Sequence, residues 1–253
     1  MMIGGNQKEQ VIEEYDQLFP QLPGVSFYNH GYLPLLIEDT GYGELFSENL
    51  YHYAVNSIES KNKTILEVGC GRGGGLKSLS NHLEFENLIG CDINALNIKY
   101  CEDTNDSIKF DVADAEKLPY KDNSVDVVLN IESSHCYPNL NIFFQEVDRV
   151  LNQNGTFVWC DCFESIEEFN FKLDKIKNNK NFDIQIVDDI TNNVIDSLTQ
   201  YLVKANTLSG EEGSEYSVEV VRMGMEICRN ALVAYKHRGG KYYNVVINKK
   251  VVS

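Results

Sequence analysis

A glycine-rich turn between an apolar strand and an amphipathic helix constrains the fold of this chain more than any other feature. The segment reads ILEVGCGRGGG over residues 65–75. Glycines let the backbone turn tightly and approach a ligand closely, and the N-terminus of the following helix presents free N–H groups. The loop fits G-x-G-x-x-G at Gly69, Gly71 and Gly74. It also fits G-x-G-x-G with Gly73 in the last place. The turn therefore predicts a nucleotide-cofactor site, but it leaves open a nicotinamide dinucleotide, a different adenosine cofactor, and a turn that holds no ligand.

Short apolar runs alternate with amphipathic stretches from Thr64 to about Cys162. Each run has the length of a strand and is rich in β-branched residues. The runs lie at residues 64–68, 87–91, 107–110, 125–131 and 155–160. Asn154 and Gly155 tolerate a left-handed cap, so we expect them to end the helix before the last run. This alternation predicts an α/β fold with a Rossmann-like, mostly parallel sheet and helices on both of its faces.

The chain of 253 residues is interpreted as a single domain with three parts. Residues 1–60 are predicted to form an N-terminal helical cap, interrupted by a loop at residues 21–34. Residues 61–163 form the cofactor-binding core. Residues 164–253 supply the rest of the sheet and carry a helical insertion at about residues 191–236. Because this insertion lies between two late strands, it can form a lid without disturbing the sheet.

The charge and cysteine content of the chain narrow its partners and its compartment. The chain has 22 Lys and Arg against 38 Asp and Glu, a formal net charge of −16, whereas nucleic-acid binding needs clustered cations. We therefore expect no nucleic-acid partner. No apolar run approaches the length of a membrane span, so no membrane insertion is expected. The first residues lack the features of a signal peptide, and the 7 cysteines include no C-x-x-C pair. These features predict a cytoplasmic protein without disulfides.

Acidic residues follow the first three apolar runs at positions that suit an adenosine cofactor. Asp92 ends the second run, where a carboxylate can accept both hydroxyls of a ribose. Asp114 and Ala115 lie beyond the third run, where a carboxylate could accept from the exocyclic amine of adenine. Glu67 lies inside the first run, and a carboxylate buried there needs partners such as loop N–H groups or a cationic ligand.

The ordered set E-V-G-C-G-x-G, Asp92, Asp114-Ala115-Glu116-x-Leu118-Pro119 and D-N-S-V-D-V-V resembles the class I S-adenosylmethionine-dependent methyltransferases. The resemblance implies a seven-stranded sheet and the cofactor S-adenosyl-L-methionine, with S-adenosyl-L-homocysteine as the product. It assigns the methionine part to the glycine loop, the ribose to the Asp92 position, and the adenine amine to the Asp114 position. The cofactor residues that it implies are Glu67, Gly69, Cys70, Gly71, Gly73, Asp92, Ile93, Asp114, Ala115, Asn130 and Ile131. A dehydrogenase gives no reason for the Asp114-Ala115-Glu116 segment.

Two segments narrow the resemblance to particular groups of methyltransferases. LIGCDINALNIKYC at 88–101 and VVLNIESSHCYPNL at 127–140 look like the phthiotriol/phenolphthiotriol dimycocerosate methyltransferases. The second segment is also similar to the sugar O-methyltransferases of indolocarbazole biosynthesis. These resemblances imply transfer of a methyl group to a hydroxyl of a small-molecule natural product or lipid. C- or N-methylation and a protein that binds the cofactor without transfer stay open.

Candidate catalytic residues lie just past the fourth and fifth runs. His135 follows the fourth run and is the expected general base, since the pKa of an imidazole lies near neutral. Asp161 ends the fifth run and could orient the imidazole ring. A loop histidine that packs or binds water is the alternative. Tyr15, Tyr28 and Tyr32 fall in the part that covers the cofactor in relatives, and they are the candidate acceptor contacts.

A metal site is considered and not expected. Cys160-x-Cys162 and the glutamates that follow could suggest one. However, Cys160 is expected to point inward from a strand, and the glutamates lie on a solvated helix.

Overall fold

The structure is a computed structural model that describes residues 7–18, 25–33, 43–208 and 218–251. Its strands are β1 Thr64–Val68, β2 Asn87–Asp92, β3 Lys109–Val112, β4 Val125–Ile131, β5 Leu151–Phe163, β6 Phe182–Asp189 and β7 Lys241–Lys249. Its helices are α1 Gln7–Leu18, α2 Gly43–Val55, α3 Gly74–Ser80, α4 Ala95–Thr104, α5 Leu140–Val150, α6 Ile166–Lys177, α7 Thr191–Leu208 and α8 Val218–His237.

One seven-stranded sheet organises the molecule, in the order β3-β2-β1-β4-β5-β7-β6. Neighbouring strands from β3 to β5 are parallel, whereas β7 is antiparallel to both β5 and β6. The strand order reverses between β1 and β4, and a ligand binds outside the carboxyl ends of the strands at such a point. The predicted α/β fold with a Rossmann-like, mostly parallel sheet is confirmed.

Apolar layers cover both faces of the sheet. One layer includes Leu76 of α3 and Leu198 of α7, and the other includes Phe143 of α5 and Leu173 of α6. Alternate residues of β5 belong to opposite layers, as the period of a strand requires. Helices on both faces are therefore confirmed.

The prediction that Asn154 and Gly155 end a helix is wrong. Helix α5 already ends at Val150, and β5 begins at Leu151. Leu151 pairs with Val125 and Thr156 pairs with Val127, so the residues between them form an irregularity in β5. Asn154 has φ 62 there. The positive φ that the sequence indicates is present, but it is used in a strand rather than in a helix cap.

The helical insertion lies where the sequence predicts it, as α7 and α8 between β6 and β7. It packs against the N-terminal segment 25–33, because Leu33 N–H donates to the Asn193 carbonyl and Ser197 Oγ donates to the His30 carbonyl. Within the described ranges, no helix is long and apolar enough to span a membrane. Part of the predicted loop at 21–34 lies outside the described residues.

Candidate cofactor and acceptor site

The glycine loop after β1 has a backbone that only glycine adopts freely. Gly69, Gly71 and Gly73 have φ values of 77, 52 and 72. A Cβ on Gly69 would lie 1.9 Å from Ser133 Oγ. The N–H groups of Gly69 and Cys70 donate to the carbonyl of Cys91 at 2.8 and 3.0 Å, which ties the loop to β2. The loop is therefore a rigid cradle between the ends of β1, β2 and β4.

Asp92 lies at the end of β2 and holds this cradle. Its Oδ2 accepts from Gly71 N–H at 3.0 Å, and its Oδ1 accepts from Asn94 N–H at 2.8 Å. Burial raises the pKa of Asp92, and the two N–H donors oppose that rise. The carboxylate therefore lies beside the loop that it orients, where the sequence predicts a ribose contact.

The Asp114 side chain forms an ion pair with the N-terminal helix α1. Lys8 Nζ of α1 lies 2.6 Å from Asp114 Oδ2 and 2.7 Å from Glu116 Oε2. Asp114 Oδ1 accepts from Glu116 N–H at 2.9 Å. Farther along α1, Asp16 accepts from Asn94 Nδ2 at 2.8 Å. Helix α1 is thus held by polar contacts to the residues that follow β2 and β3.

Buried polar atoms near the loop lack a hydrogen-bond partner among the described residues. Glu67 is fully buried, and its Oε1 accepts from Tyr51 OH at 2.7 Å while Oε2 has no partner. Burial raises the pKa of Glu67 to about 8. Asn130 donates to the Val68 carbonyl at 2.8 Å, and its Oδ1 is without a partner. Such groups are costly unless a ligand satisfies them.

One cavity of about 980 Å³, including its open mouth, joins these elements. Of the residues predicted from the sequence, it is lined by Tyr15, Tyr28, Gly69, Cys70, Gly71, Asp92, Ile93, Asp114, Ala115 and Ile131. The predicted residues that do not line it are Tyr32, Glu67, Gly73, Asn130, His135 and Asp161. Lining residues that the sequence did not indicate include Lys8, Asn29, Tyr51, Asn94 and Glu132.

The predicted tyrosines separate into two groups. Tyr15 of α1 packs edge-on against Tyr28, with ring centroids 5.6 Å apart. Burial raises the pKa of Tyr28 to about 12, and its OH has no partner within the described ranges. Tyr32 stacks instead on Tyr53, with centroids 4.2 Å apart, away from the cavity. Tyr15 and Tyr28 therefore form part of the cavity wall, and Tyr32 packs behind it.

His135 and Asp161 meet where β4 and β5 end, as their positions predict. His135 Nδ1 lies 2.7 Å from Asp161 Oδ1, and the aspartate side chain is only 1% exposed. Asp161 Oδ2 also accepts from Ser134 Oγ at 2.5 Å and from His135 N–H at 3.1 Å. Trp159 Nε1 fixes Ser134 by donating to its Oγ at 2.8 Å. The imidazole is thus oriented by a carboxylate that is itself held in place.

The pair shifts the pKa values of both groups. Burial alone would lower the pKa of His135, but the Asp161 carboxylate raises it well above its usual range. Burial alone would raise the pKa of Asp161, but His135 and the other donors lower it. Both directions favour the charged pair.

Cys162 lies beside this pair. A ring nitrogen of His135, a carboxylate oxygen of Asp161 and Sγ of Cys162 lie within 4.8 Å of one another, and in the described part of the chain they form the one cluster that could hold a metal. His135 Nδ1 already bonds to Asp161, which also accepts from Cys162 N–H at 2.8 Å. The geometry is accounted for by hydrogen bonds, and a metal would have to replace them.

Comparison with known proteins supports a specific class for this site. Residues 66–159 match the family described as "Methyltransferase domain". The phthiotriol/phenolphthiotriol dimycocerosates methyltransferase of Mycobacterium tuberculosis is 43% identical over 115 residues, which is 45% of this chain and 43% of the relative. The fatty-acid O-methyltransferase of Mycolicibacterium smegmatis is 38% identical over 162 residues, which is 61% of this chain and 59% of the relative. The matched region thus spans about half the length of these curated relatives.

Solved structures share the fold along the whole chain. The [4+2]-cyclase SpnF has a TM-score of 0.75 at 16% identity, with all of both chains covered. The geranyl diphosphate C-methyltransferase of Streptomyces coelicolor has a TM-score of 0.69 at 14% identity and covers 98% of this chain and 100% of its own. At these identities the likeness concerns the fold alone.

The fold and the glycine loop agree with the family match. Residues 66–159 therefore belong to an S-adenosylmethionine-dependent methyltransferase domain. The described residues fit this cofactor, because Asp92, Asp114 and the glycine loop line one cavity. Glu67 and Asn130 lie buried behind its wall, and each has a side-chain oxygen without a partner that a donor group of a ligand could satisfy. Asp92 at the end of β2 suits a ribose. The loop glycines leave room for close approach of a ligand to the backbone.

Proposed function

We propose that this protein is an O-methyltransferase that methylates a hydroxyl group of a small-molecule natural product or lipid. The observation that carries the proposal is the His135–Asp161 pair, whose Nδ1 and Oδ1 atoms lie 2.7 Å apart at the carboxyl ends of β4 and β5. The name of one relative, a phthiotriol methyltransferase, points to the same group of acceptors, and that of another, a fatty-acid O-methyltransferase, supports transfer to oxygen in a lipid. A cytoplasmic location and a role in natural-product biosynthesis belong to this proposal.

In this proposal, different residues bind different parts of the methyl donor S-adenosylmethionine. Asp92 and Ile93 hold the ribose, Asp114 and Ala115 hold the adenine, and the backbone of the glycine loop faces the methionine part. Glu67, Asn130 and Ile131 receive the ammonium group. When bound, S-adenosylmethionine supplies an electrophilic methyl group on its sulfonium. The chain's own contribution is to align this group with the acceptor.

His135 takes the proton of the acceptor hydroxyl in this proposal, and Asp161 orients the ring. The His135 side chain is 36% exposed and its neighbour in the chain, Cys136, lines the cavity, so the acceptor must extend from the cavity to the imidazole. A hydroxyl is far less acidic than imidazolium, so proton removal accompanies methyl transfer rather than preceding it. Because the pKa of His135 is raised, its neutral form is a stronger base but is less populated near pH 7. Turnover should therefore rise with pH. Tyr15 and Tyr28 provide the aromatic wall against which the acceptor packs.

The test is the variant His135→Ala, assayed by transfer of a labelled methyl group to a long-chain alcohol, a long-chain fatty acid and a hydroxylated glycoside. Loss of a general base lowers kcat by about 10²–10⁴-fold. We expect this loss together with unchanged binding of S-adenosylhomocysteine, measured by calorimetry. His237→Ala on the exposed end of α8 is the matched control. Near wild-type turnover by His135→Ala, with cofactor binding intact, would refute the role of His135.

A further inference from the structure

Glu132 lines the cavity immediately after β4 and is held in an unusual conformation. Its φ is 48, a value that non-glycine residues rarely adopt. Its side chain is only 6% exposed. Strained backbone at the wall of a binding cavity is a mark of function rather than of packing. The residue belongs to the E-S-S-H segment, but neither its spacing nor its residue type singled it out in the sequence.

Two protein hydrogen bonds reach the Glu132 carboxylate, and the His30 imidazole lies beside it. Its Oε2 accepts from His30 N–H at 2.8 Å and from Tyr242 OH at 2.8 Å. Its Oε1 lies 2.8 Å from His30 Nδ1. Tyr235 OH lies 2.9 Å from the same Nδ1 and so holds the imidazole from the side of α8. The carboxylate therefore joins the N-terminal segment, α8 and β7 at one point of the cavity wall.

The number of acceptor positions on Glu132 limits what else it can bind. A carboxylate offers about four lone-pair positions, and the protein fills two of them with hydrogen bonds, both on Oε2. Oε1 lies 2.8 Å from His30 Nδ1 and makes no other polar contact with the described residues. An ionised Oε1 can accept a further hydrogen bond, and it cannot donate one. A ligand group that meets Glu132 must therefore bring its own donor.

The cations near the cavity are already engaged elsewhere. Lys8 is bound to Asp114 and Glu116 at the adenine end. Arg72 donates to the Val25 carbonyl at 2.7 Å, and its guanidinium lies 4.9 Å from the centroid of Tyr100. The charge of His135 is matched by Asp161. At the β4 end of the cavity, the His30 imidazole is the titratable group beside the Glu132 carboxylate, and Lys8, Arg72 and His135 are each held by other partners.

We propose that Glu132 selects the methyl acceptor by the chemical class of its head group. A hydroxyl, which can donate a hydrogen bond to Glu132, is accepted, and an ionised carboxylate is rejected. This inference rests on the proposed function and narrows it to alcohols as against fatty acids. A hydroxyl satisfies an open lone-pair position on Oε1. A carboxylate has no donor to offer, and like charges side by side in a desolvated site are costly.

The experiment compares 1-octanol, octanoate and octylammonium, which have the same chain length and differ in the head group. Each is titrated calorimetrically into the protein saturated with S-adenosylhomocysteine. We expect 1-octanol to bind at least about tenfold more tightly than octanoate, from the repulsion between two close charges. In Glu132→Gln this ratio should fall towards one. Tyr242→Phe removes one donor but keeps the charge, so the preference should persist.

Glu164→Gln is the matched control, because Glu164 is exposed and lies outside the cavity. Affinity for S-adenosylhomocysteine, measured in every variant, verifies that the fold and cofactor site are intact. Octanoate binding as tightly as 1-octanol to the wild type would overturn the inference. Failure of both 1-octanol and octylammonium to bind would also overturn it. An unchanged ratio of 1-octanol affinity to octanoate affinity in Glu132→Gln would overturn it as well. Methyl transfer to octylamine but not to 1-octanol would overturn O-methylation and leave the exclusion of carboxylates standing.

Discussion

Asp92 has two structural roles, and both depend on its carboxylate. It accepts hydrogen bonds from the backbone of Gly71 and Asn94, so it shapes the glycine loop, and it lines the cavity beside that loop. An amide in its place has one oxygen instead of two and adds an N–H₂ group that cannot accept. Substitution at this position should therefore disturb both the loop and the ribose contact that we propose for Asp92.

Asp92→Asn should weaken binding of S-adenosylhomocysteine about 10- to 100-fold, because a charged hydrogen-bond partner contributes about 1.5–3 kcal/mol. Isothermal titration calorimetry measures the change. Asp103→Asn is the control, since Asp103 is 62% exposed on α4 and pairs only with Lys99 there. If Asp92→Asn bound the cofactor product as the wild type does, the ribose assignment would be wrong.

At the scale of single residues, the sequence predicted the side chains that follow strands. It missed the side chains that reach the site from distant parts of the chain. Asp92 and His135 could be placed because the ends of parallel strands gather at one edge of a sheet. Lys8 reaches Asp114 across 106 positions of the chain, and His30 reaches Glu132 across 102. No local pattern encodes such contacts, because they depend on how the N-terminal helix and loop pack onto the sheet.

At the scale of elements, the ion pair between His135 and Asp161 joins the ends of β4 and β5. The raised pKa of His135 means that the folded protein holds its proton more tightly than the unfolded chain, whose value is 6.5. The stabilisation is complete below pH 6.5 and is lost progressively as the pH rises towards the folded value. The lowered pKa of Asp161 adds stability above its unfolded value of 3.8, which is lost as the pH falls through the folded value.

His135→Gln should therefore lower Tm more at pH 5.5 than at pH 9, because the ion pair contributes in full only at the lower of these values. Thermal unfolding followed by circular dichroism at both pH values gives the two differences. His237→Gln, on the exposed end of α8, controls for the loss of a histidine as such. Equal losses of Tm at both pH values would show that His135 does not titrate with folding.

The elements themselves were predictable where local signals agree. Strand β4 spans the predicted residues, and the glycine loop leads into α3 as expected. The local signal at Asn154 was correct about the positive φ and wrong about the element, because a left-handed residue suits a strand irregularity as well as a helix end. The conformation of one residue is local information, but the element that uses it depends on the pairing partner, here β4.

At the scale of the whole molecule, β7 completes the sheet. It lies between β5 and β6 and pairs with both of them, with Ile247 opposite Phe157 and Ile184. The alternation of strands and helices predicted a mostly parallel sheet, and the resemblance implied seven strands. The antiparallel position of β7 follows from neither composition nor periodicity, because a strand's alternation does not specify its neighbours.

Ile247→Ala should lower the free energy of unfolding by about 2–5 kcal/mol, since the side chain is fully buried and its loss leaves a cavity. Urea denaturation followed by fluorescence measures this change. Val187→Ala on β6 is the control, because Val187 is 45% exposed and its truncation should cost about 0.5 kcal/mol or less. A loss below about 1 kcal/mol for Ile247→Ala would argue against the central position of β7.

The position of β7 also has a consequence for how the chain acquires its fold during synthesis. Until residues 241–249 have left the ribosome, β5 has a partner only in β4, and β6 has none in the described sheet. A nascent chain that reaches only α8 therefore presents an unpaired, apolar strand edge, the kind of surface that other chains can add to. Cooperative closure of the described sheet must wait for translation to pass this strand, because β7 follows the other six strands in the chain and joins β6 to the rest of the sheet.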